Sequence, residues 1–201
     1  MFQLGGEMLN RAYLFIGLFL LGLATTADAK EIAGAVVLDN ARTEHSVVNH
    51  MAILEDPSGF LGLQSVTSNA YLDKFVLYDS IPQFSRTKSA YWVRFSIHND
   101  AARALERLLV LNYPNHQKAT LYMPDGNGGY RERIHHAREL VRDVDLVHRL
   151  PVYRATLKAG ETATFYWRIE SPTVRPNIEV WDPSSFLERR ISAEWWYMRA
   201  K

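Results

Sequence analysis

The chain of 201 residues contains no cysteine. Disulfide frameworks and thiolate metal sites are therefore excluded. The net charge is only +1, so the clustered basic surface of a nucleic-acid-binding protein is not expected, and we predict no nucleic-acid partner. Hydrophobic residues make up 47% of the chain, which is enough to fill a core and too much for a disordered polypeptide.

Motifs of the common catalytic and metal sites are also missing. The chain has no G-x-S-x-G, no H-E-x-x-H, no phosphate-binding glycine loop and no dinucleotide fingerprint. Residues 125–129 (DGNGG) offer only two oxygen side chains, whereas calcium takes about six to eight oxygen ligands, so we predict a plain hairpin loop. His135, His136 and His148 are candidate metal ligands, but adjacent histidines normally diverge and no carboxylate pair is fixed beside them. We predict neither a metal nor another cofactor, and a pH-responsive role of these histidines stays open.

One enzymatic alternative remains, a glycosidase. Such an enzyme needs two carboxylates on facing strands, and Glu106, Glu170 and Glu179 lie on predicted strands. The sequence does not fix the separation of any pair. In the absence of a catalytic motif, we expect a protein that is not an enzyme.

The first 29 residues have the pattern of a secretory signal peptide. Arg11 precedes an apolar run over residues 12–24, and the small-x-small triplet Ala27-Asp28-Ala29 follows. The run is shorter than the ~20 residues that span a bilayer. We therefore predict cleavage after Ala29 and export to the periplasm. The alternative is an uncleaved anchor, and Met8 is a second candidate start.

Alternation of apolar and polar residues predicts strands along most of the remaining chain. The strongest signal is at 91–98, where Tyr91, Val93, Phe95 and Ile97 point one way and the residues between them the other, a pattern that a helix does not fit. Further strands are predicted at 32–38, 46–54, 105–111, 118–123, 130–134, 148–157, 162–170 and 177–181. A helical turn is expected near 64–69 and a loop over 135–146.

The closing segment reads as a helix. Asp182 is a favourable N-cap and Pro183 a favourable first helical residue. Short strands with frequent turns before it predict an all-β sandwich or jelly roll. We expect a sandwich domain over residues 30–183 and a C-terminal helix over residues 184–201.

The strand residues opposite the aliphatic core row are the best candidates for a ligand-binding face. Sugar-binding sandwiches stack aromatic rings on sugar C–H surfaces and use polar neighbours to bond the hydroxyls. We predict ligand-binding roles for Trp92, Arg94, His98, Tyr122, Tyr166 and Arg168. The alternative is that Trp92 packs under the N-terminal strand or the closing helix.

The segment 88–100 (KSAYWVRFSIHND) resembles the signature strand of the type-two extracellular domain of 7TM-DISM receptors, which are seven-helix bacterial receptors with diverse intracellular signalling modules. Five further segments resemble parts of that domain in the same order: 54–59, 121–126, 157–162, 166–171 and 181–187. The resemblance covers residues 36–190. It implies a jelly roll similar to carbohydrate-binding modules that senses a small ligand in the periplasm, and a signal that passes through seven helices to a histidine kinase or a diguanylate cyclase.

The resemblance also sets the expected partners. They are a small polar ligand, possibly a carbohydrate, and the membrane domain of the intact receptor. The sequence ends at Lys201, where the first membrane helix of such a receptor should run on. We therefore expect a truncated receptor. The alternative function is an interaction module that binds a partner protein or forms a homodimer without a small ligand.

Overall fold

The fold is carried by β-strands, numbered here in chain order. The computed structural model describes residues 34–39, 41–137 and 150–189. The predicted signal peptide, His148 and the end of the closing helix lie outside these ranges. The strands of the larger sheet are β1 (Val36–Leu38), β3 (Met51–Asp56), β4 (Val76–Leu77), β6 (Ala90–Asn99), β8 (Lys118–Pro124), β9 (Tyr130–His136) and β11 (Thr162–Glu170). The smaller sheet contains β2 (Glu44–Ser46), β7 (Leu105–Leu111), β10 (Val152–Leu157) and β13 (Ile178–Trp181).

The larger sheet has seven strands, in the order β4-β3-β6-β11-β8-β9, with β1 paired in parallel to the end of β6. The other pairs in this sheet are antiparallel. The four-stranded sheet runs β10-β7-β13-β2 and is antiparallel throughout. Two short strands, β5 (Phe84–Ser85) and β12 (Thr173–Val174), form a separate pair.

The helical segments are short. A 3₁₀ helix spans Val48–His50, α1 spans Leu63–Val66 and α2 spans Asn69–Leu72. The closing helix α3 covers residues 183–189. Asp182 caps it as predicted, since its carboxylate accepts the backbone N–H groups of Ser184 (3.1 Å) and Ser185 (3.2 Å). In the part of the chain that the structure describes, no helix is long and apolar enough to cross a membrane.

The core lies between the two sheets and is built from the residues that the alternation predicts. Val93, Phe95 and Ile97 of β6 join Phe165 and Trp167 of β11 in one buried cluster. Leu109, Leu111, Ile178 and Val180 of the smaller sheet are in the same cluster. The prediction of an all-β sandwich with a C-terminal helix is thus confirmed, while its jelly-roll connectivity stays a prediction.

Two local predictions differ from the structure. The run 46–54 is not one strand, because the 3₁₀ helix Val48–His50 interrupts it before β3 begins. Val47 is fully buried beside this helix and donates its backbone N–H to Ile178, so tertiary contacts override the β-propensity of the run. His135 and His136 belong to β9 and not to a loop. The remainder of the predicted loop falls mostly on residues outside the described ranges.

Candidate ligand-binding site

The predicted site residues lie on one surface, which we call the outer face. It is the side of the seven-stranded sheet turned away from the sandwich core. Strand register places Arg94 beside Tyr166 and Tyr166 beside Tyr122, while Trp92 is beside Arg168. The hairpin partner β9 brings Tyr130 and Glu132 to the same side. Among the residues of the outer face are Ala52, Leu54, Trp92, Arg94, Ser96, His98, Tyr122, Tyr130, Glu132, Thr162, Thr164, Tyr166, Arg168 and Glu170.

Trp92 is fully buried in the middle of this face. Its ring stacks on Tyr122 with centroids 5.4 Å apart and an interplanar angle of 21°. The cover is the segment 61–75, which contributes Val66 and Phe75 to the same buried cluster. Of the two interpretations of Trp92, the structure thus shows a packed side chain. The covering element is this segment, which neither interpretation included.

Arg168 anchors the chain that leads into the cover. Its guanidinium lies 5.9 Å from the centre of the Trp92 ring and donates to the backbone carbonyl of Gly59 at 2.7 Å. It also pairs with Glu170, which lies 3.5 Å from the ammonium of Lys118. Arg168 is therefore neutralised and committed to holding the covering segment against the sheet.

The turn after β3 is fixed by one buried carboxylate. Asp56 is only 1% exposed and accepts the hydroxyl of Ser58 at 2.5 Å and the backbone N–H groups of Gly59 at 3.0 Å and Leu61 at 2.9 Å. Gly59 has a φ of +68°, which glycine adopts without steric cost. This turn presents Phe60, whose exposed fraction is 92%. The loop is thus rigid at its base and apolar at its tip.

Three tyrosines form the rest of the aromatic cluster. The ring of Tyr130 lies 5.7 Å from that of Tyr166 in an edge-on contact, and Phe75 makes a similar contact with Tyr166 at 6.3 Å. Burial raises the pKa of Tyr130 to about 12. Burial also raises the pKa of Tyr166 and of Tyr122, where the charge of Glu132 adds to the effect. All three hydroxyls therefore stay protonated as hydrogen-bond donors.

Tyr130 was not among the predicted site residues. It lies opposite Pro124 at the start of β9, and this register carries it to the side of Tyr122. The sequence predicts the glycine-rich hairpin, and the alternation of side chains counted back through it places Tyr130 on the side of Tyr122.

Arg94 is half-buried between these rings. Within the described ranges its Nη1 atom is buried and has no hydrogen-bond partner. Its positive charge partly offsets the effect of burial on the pKa of Tyr130 and Tyr166. Arg94 thus differs from Arg168, whose guanidinium pairs with Glu170 and donates to the carbonyl of Gly59.

The far end of the outer face is polar. His98 contacts the hydroxyl of Thr162 through Nδ1 at 2.8 Å, and its Nε2 lies 3.9 Å from Asp100. Ser96 and Thr164 share a hydrogen bond of 2.9 Å. His98 lies four residues along β6 from Arg94, about 14 Å away at the usual rise per residue. The predicted residues thus form an aromatic and cationic centre with a separate polar end.

The histidines and carboxylates considered for other chemistry are placed differently. His135 points to its buried neighbour His116, with Nδ1 and Nε2 2.7 Å apart, whereas His136 is exposed. Across the described ranges no group of three metal-ligating side chains is present. Glu106 pairs with Arg154 and Glu179 accepts the amide of Asn112 at 2.6 Å. Both lie on the four-stranded sheet, whereas Glu170 lies on the other.

Comparison with known proteins gives one family. A family model described as 7TMR-DISM extracellular 2 matches residues 48–182. A search of curated proteins found no match. Among solved structures, the chain is similar to TmCBM61 in complex with beta-1,4-galactotriose, with 10% sequence identity and a TM-score of 0.30 over 69% of this chain and 83% of that one.

Proposed function

The chain belongs to the 7TMR-DISM extracellular 2 family, an extracellular sensor domain family, and on that premise we propose that it reads a carbohydrate or another small polar ligand in the bacterial periplasm. The outer face of the seven-stranded sheet is the proposed reading surface. The predicted residues Trp92, Arg94, His98, Tyr122, Tyr166 and Arg168 all lie there.

The observation that carries this proposal is the composition of the outer face. Tyrosine rings offer flat apolar surfaces, and their hydroxyls add donors at the rim. The hydroxyls of Tyr122, Tyr130 and Tyr166 have no hydrogen-bond partner among the described residues and are not buried atoms, so solvent reaches them. Accessible donors beside a half-buried guanidinium suit a ligand rich in oxygen acceptors.

The proposed mechanism is a population shift. Ligand binding would favour one packing of the sandwich against the membrane helices of the intact receptor, and the coupling free energy would equal the difference in ligand affinity between the two states. The segment 61–75 is a suitable moving part, because it lies directly over the aromatic cluster. The signal would then reach a histidine kinase or a diguanylate cyclase.

A calorimetric screen of glycans and small polar solutes on the full chain tests the proposal. The diagnostic variant is Tyr130→Phe, which removes one hydroxyl without a protein partner and leaves the ring. We expect it to weaken a binding ligand by roughly two- to tenfold, the effect of one hydrogen bond. Tyr78→Phe is the matched control, since Tyr78 packs against the sandwich core away from the outer face. Silence across the screen, or an equal loss in both variants, would contradict the proposal.

A second candidate function is self-association. Phe60 is 92% exposed, and Val76 and Leu77 on the edge strand β4 are 55% and 52% exposed. They lie near the two ends of the covering segment, and an edge strand can pair with a second copy of the chain. Light scattering of the ligand-free chain distinguishes the candidates. A stable dimer that Phe60→Ser or Leu77→Lys dissociates favours self-association, and a monomer excludes it.

A further inference from the structure

The charge of Arg94 has no partner within the protein as described. Nη1 of Arg94 is buried without an acceptor, and the structure gives the side chain no ion pair within the described ranges. A buried donor left unpaired costs about 1–3 kcal/mol, and more when it is charged. A guanidinium in this state is a site that still lacks its anion.

The carboxylates of the same sheet are engaged or remote. Glu170 pairs with Arg168 and Lys118, and Asp56 holds the turn of the covering segment. Both are cross-strand neighbours of Ala90, which lies four residues before Arg94 on β6. At the usual rise per residue, their backbone positions are about 14 Å from that of Arg94 along the strand direction. Glu132 lies level with Arg94 but three strands across the sheet, so about 14 Å separates their backbone positions. None of the three can neutralise Arg94 directly.

Two groups near Arg94 can donate hydrogen bonds to a ligand. Tyr166 is its cross-strand neighbour, Tyr130 is close enough to feel its charge, and neither hydroxyl has a described partner. Ala52, the neighbour on the opposite side, carries no polar side-chain atom. A ligand that supplies acceptors can bond the guanidinium and both hydroxyls at once, and a negative charge satisfies a guanidinium best.

We propose that the outer face recognises an acidic sugar, whose carboxylate accepts hydrogen bonds from the guanidinium of Arg94 and from the hydroxyls of Tyr130 and Tyr166. This inference rests on the proposed function and narrows its ligand class. The partly exposed rings of Tyr122 and Tyr130 contact the sugar, and Arg94 selects for its charge. Arg168 takes no part in the selection, because Glu170 already neutralises it.

Matched pairs of neutral and acidic sugars test the inference by calorimetry on the full chain. Suitable pairs are galactotriose with tri-galacturonic acid and mannotriose with tri-mannuronic acid, which differ by a hydroxymethyl group or a carboxylate on each ring. We expect the acidic member of one pair to bind at least about tenfold more tightly than its neutral partner, the range of a charge-assisted bidentate contact. The difference should shrink as ionic strength rises.

Three variants separate recognition from folding. Arg94→Met should remove the preference for the acidic member, and Arg94→Lys, which keeps the charge without the planar fork, should keep only part of it. Arg131→Met is the control, since Arg131 is an exposed arginine of β9 whose Cα partner, Met123, belongs to the core. Melting temperatures taken alongside show whether each variant is folded.

The outcomes are distinguishable. Equal affinity for both members of every pair, or a preference that survives Arg94→Met, overturns the acidic-sugar inference while a neutral ligand keeps the proposed function. A preference that Arg131→Met also abolishes assigns it to the general charge of the chain and overturns the inference. No binding by either member of any pair overturns the acidic-sugar inference, and the wider screen of glycans and small polar solutes then decides the proposed function.

Discussion

Trp92 and Trp167 lie on neighbouring strands and are both fully buried, on opposite faces of the same sheet. Trp167 belongs to the cluster between the sheets and Trp92 to the cluster beneath the covering segment. Their indole N–H groups have no hydrogen-bond partner among the described residues. Each ring therefore contributes through its buried apolar surface, which makes Trp92 part of the fold as well as of the proposed site.

The first residue-scale prediction concerns Trp92→Ala. Removing a fully buried ring should lower the free energy of unfolding by about 3–5 kcal/mol, because the contacts with the covering segment and with Tyr122 are lost. Urea unfolding followed by tryptophan fluorescence measures this. Trp92→Phe should cost clearly less, since an aromatic ring still fills much of the space. A loss below about 1 kcal/mol for Trp92→Ala would show that the segment does not pack on the ring.

The second residue-scale prediction has the opposite sign. Arg94→Met should leave the free energy of unfolding unchanged or raise it by up to about 1 kcal/mol. The change removes a buried donor without an acceptor and keeps most of the side-chain volume. Thermal and urea unfolding give the measurement. A loss of more than about 1 kcal/mol would mean that the guanidinium of Arg94 already bonds a protein group and is not free to bind a ligand.

At the scale of residues, the sequence predicts the face of the sheet on which a side chain lies better than it predicts how deeply that side chain is buried. The alternation in β6 correctly assigns Phe95 and Ile97 to the core and Trp92 and Arg94 to the other side. It does not reveal that the upstream segment 61–75 covers Trp92, because such contacts depend on the tertiary path of the chain. It likewise does not show that Arg168 pairs with Glu170 while Nη1 of Arg94 has no partner among the described residues.

At the scale of elements, hydrogen bonds between turns fix the two sheets to each other. Asn99 ends β6, is fully buried, and donates its side-chain amide to the carbonyls of Arg103 (2.9 Å), Leu157 (3.1 Å) and Lys158 (2.9 Å). Its side-chain oxygen accepts the backbone N–H of Ala101 at 3.0 Å. One side chain thus ties the turn after β6 to the turn between β10 and β11, and so joins the two sheets at one end of the sandwich.

We predict that Asn99→Ala lowers the free energy of unfolding by about 2–4 kcal/mol, since it leaves the carbonyl of buried Leu157 and two part-buried carbonyls without their donor at once. Denaturant unfolding with matched m-values checks the number. Asn115→Ala is the control, because Asn115 is exposed and contributes only its backbone carbonyl, to Ser171. The control should change stability by less than about 0.5 kcal/mol. Equal effects of the two variants would contradict the role of Asn99.

Strands with long-range pairing on both edges were predicted best. The bounds 105–111 and 162–170 match β7 and β11, where apolar runs or strict alternation leave no other regular structure. The run 46–54 was predicted as one strand because it is rich in β-branched residues, but a helical turn divides it. The sequence contains no local signal for that division, which arises from the packing of Val47 against the other sheet.

On the scale of the whole molecule, three of the described histidines are buried, His45, His116 and His135, and burial makes a charge unfavourable on two of them, His45 and His116. His116 is 1% exposed and lies between the carbonyl of Tyr113 and the ring of His135. Burial lowers the pKa of His116, the hydrogen bond to Tyr113 opposes the shift, and the charge of His135 adds to it. Burial likewise lowers the pKa of His45, against the charge of Asp39 and with that of Arg107. Both side chains fold in their neutral form.

The free energy of unfolding of the domain should therefore decrease as the pH is lowered, in a window set by these two histidines. Their contribution to stability is fully present above the unfolded-state pKa of about 6.5 and is lost as the pH falls below that value. The reason is that the unfolded chain then binds protons on these histidines, whereas the lowered pKa keeps them neutral in the folded chain. The slope should approach about 1.4 kcal/mol per pH unit for each histidine. Urea midpoints at pH 7.5, 6.5 and 5.5 measure it. His116→Asn, which keeps a donor toward Tyr113, should flatten the profile, whereas His136→Asn on the exposed side of β9 should not. A profile without slope in the wild-type chain would contradict the burial of His45 and His116. It would also contradict the contact between His116 and His135 of β9.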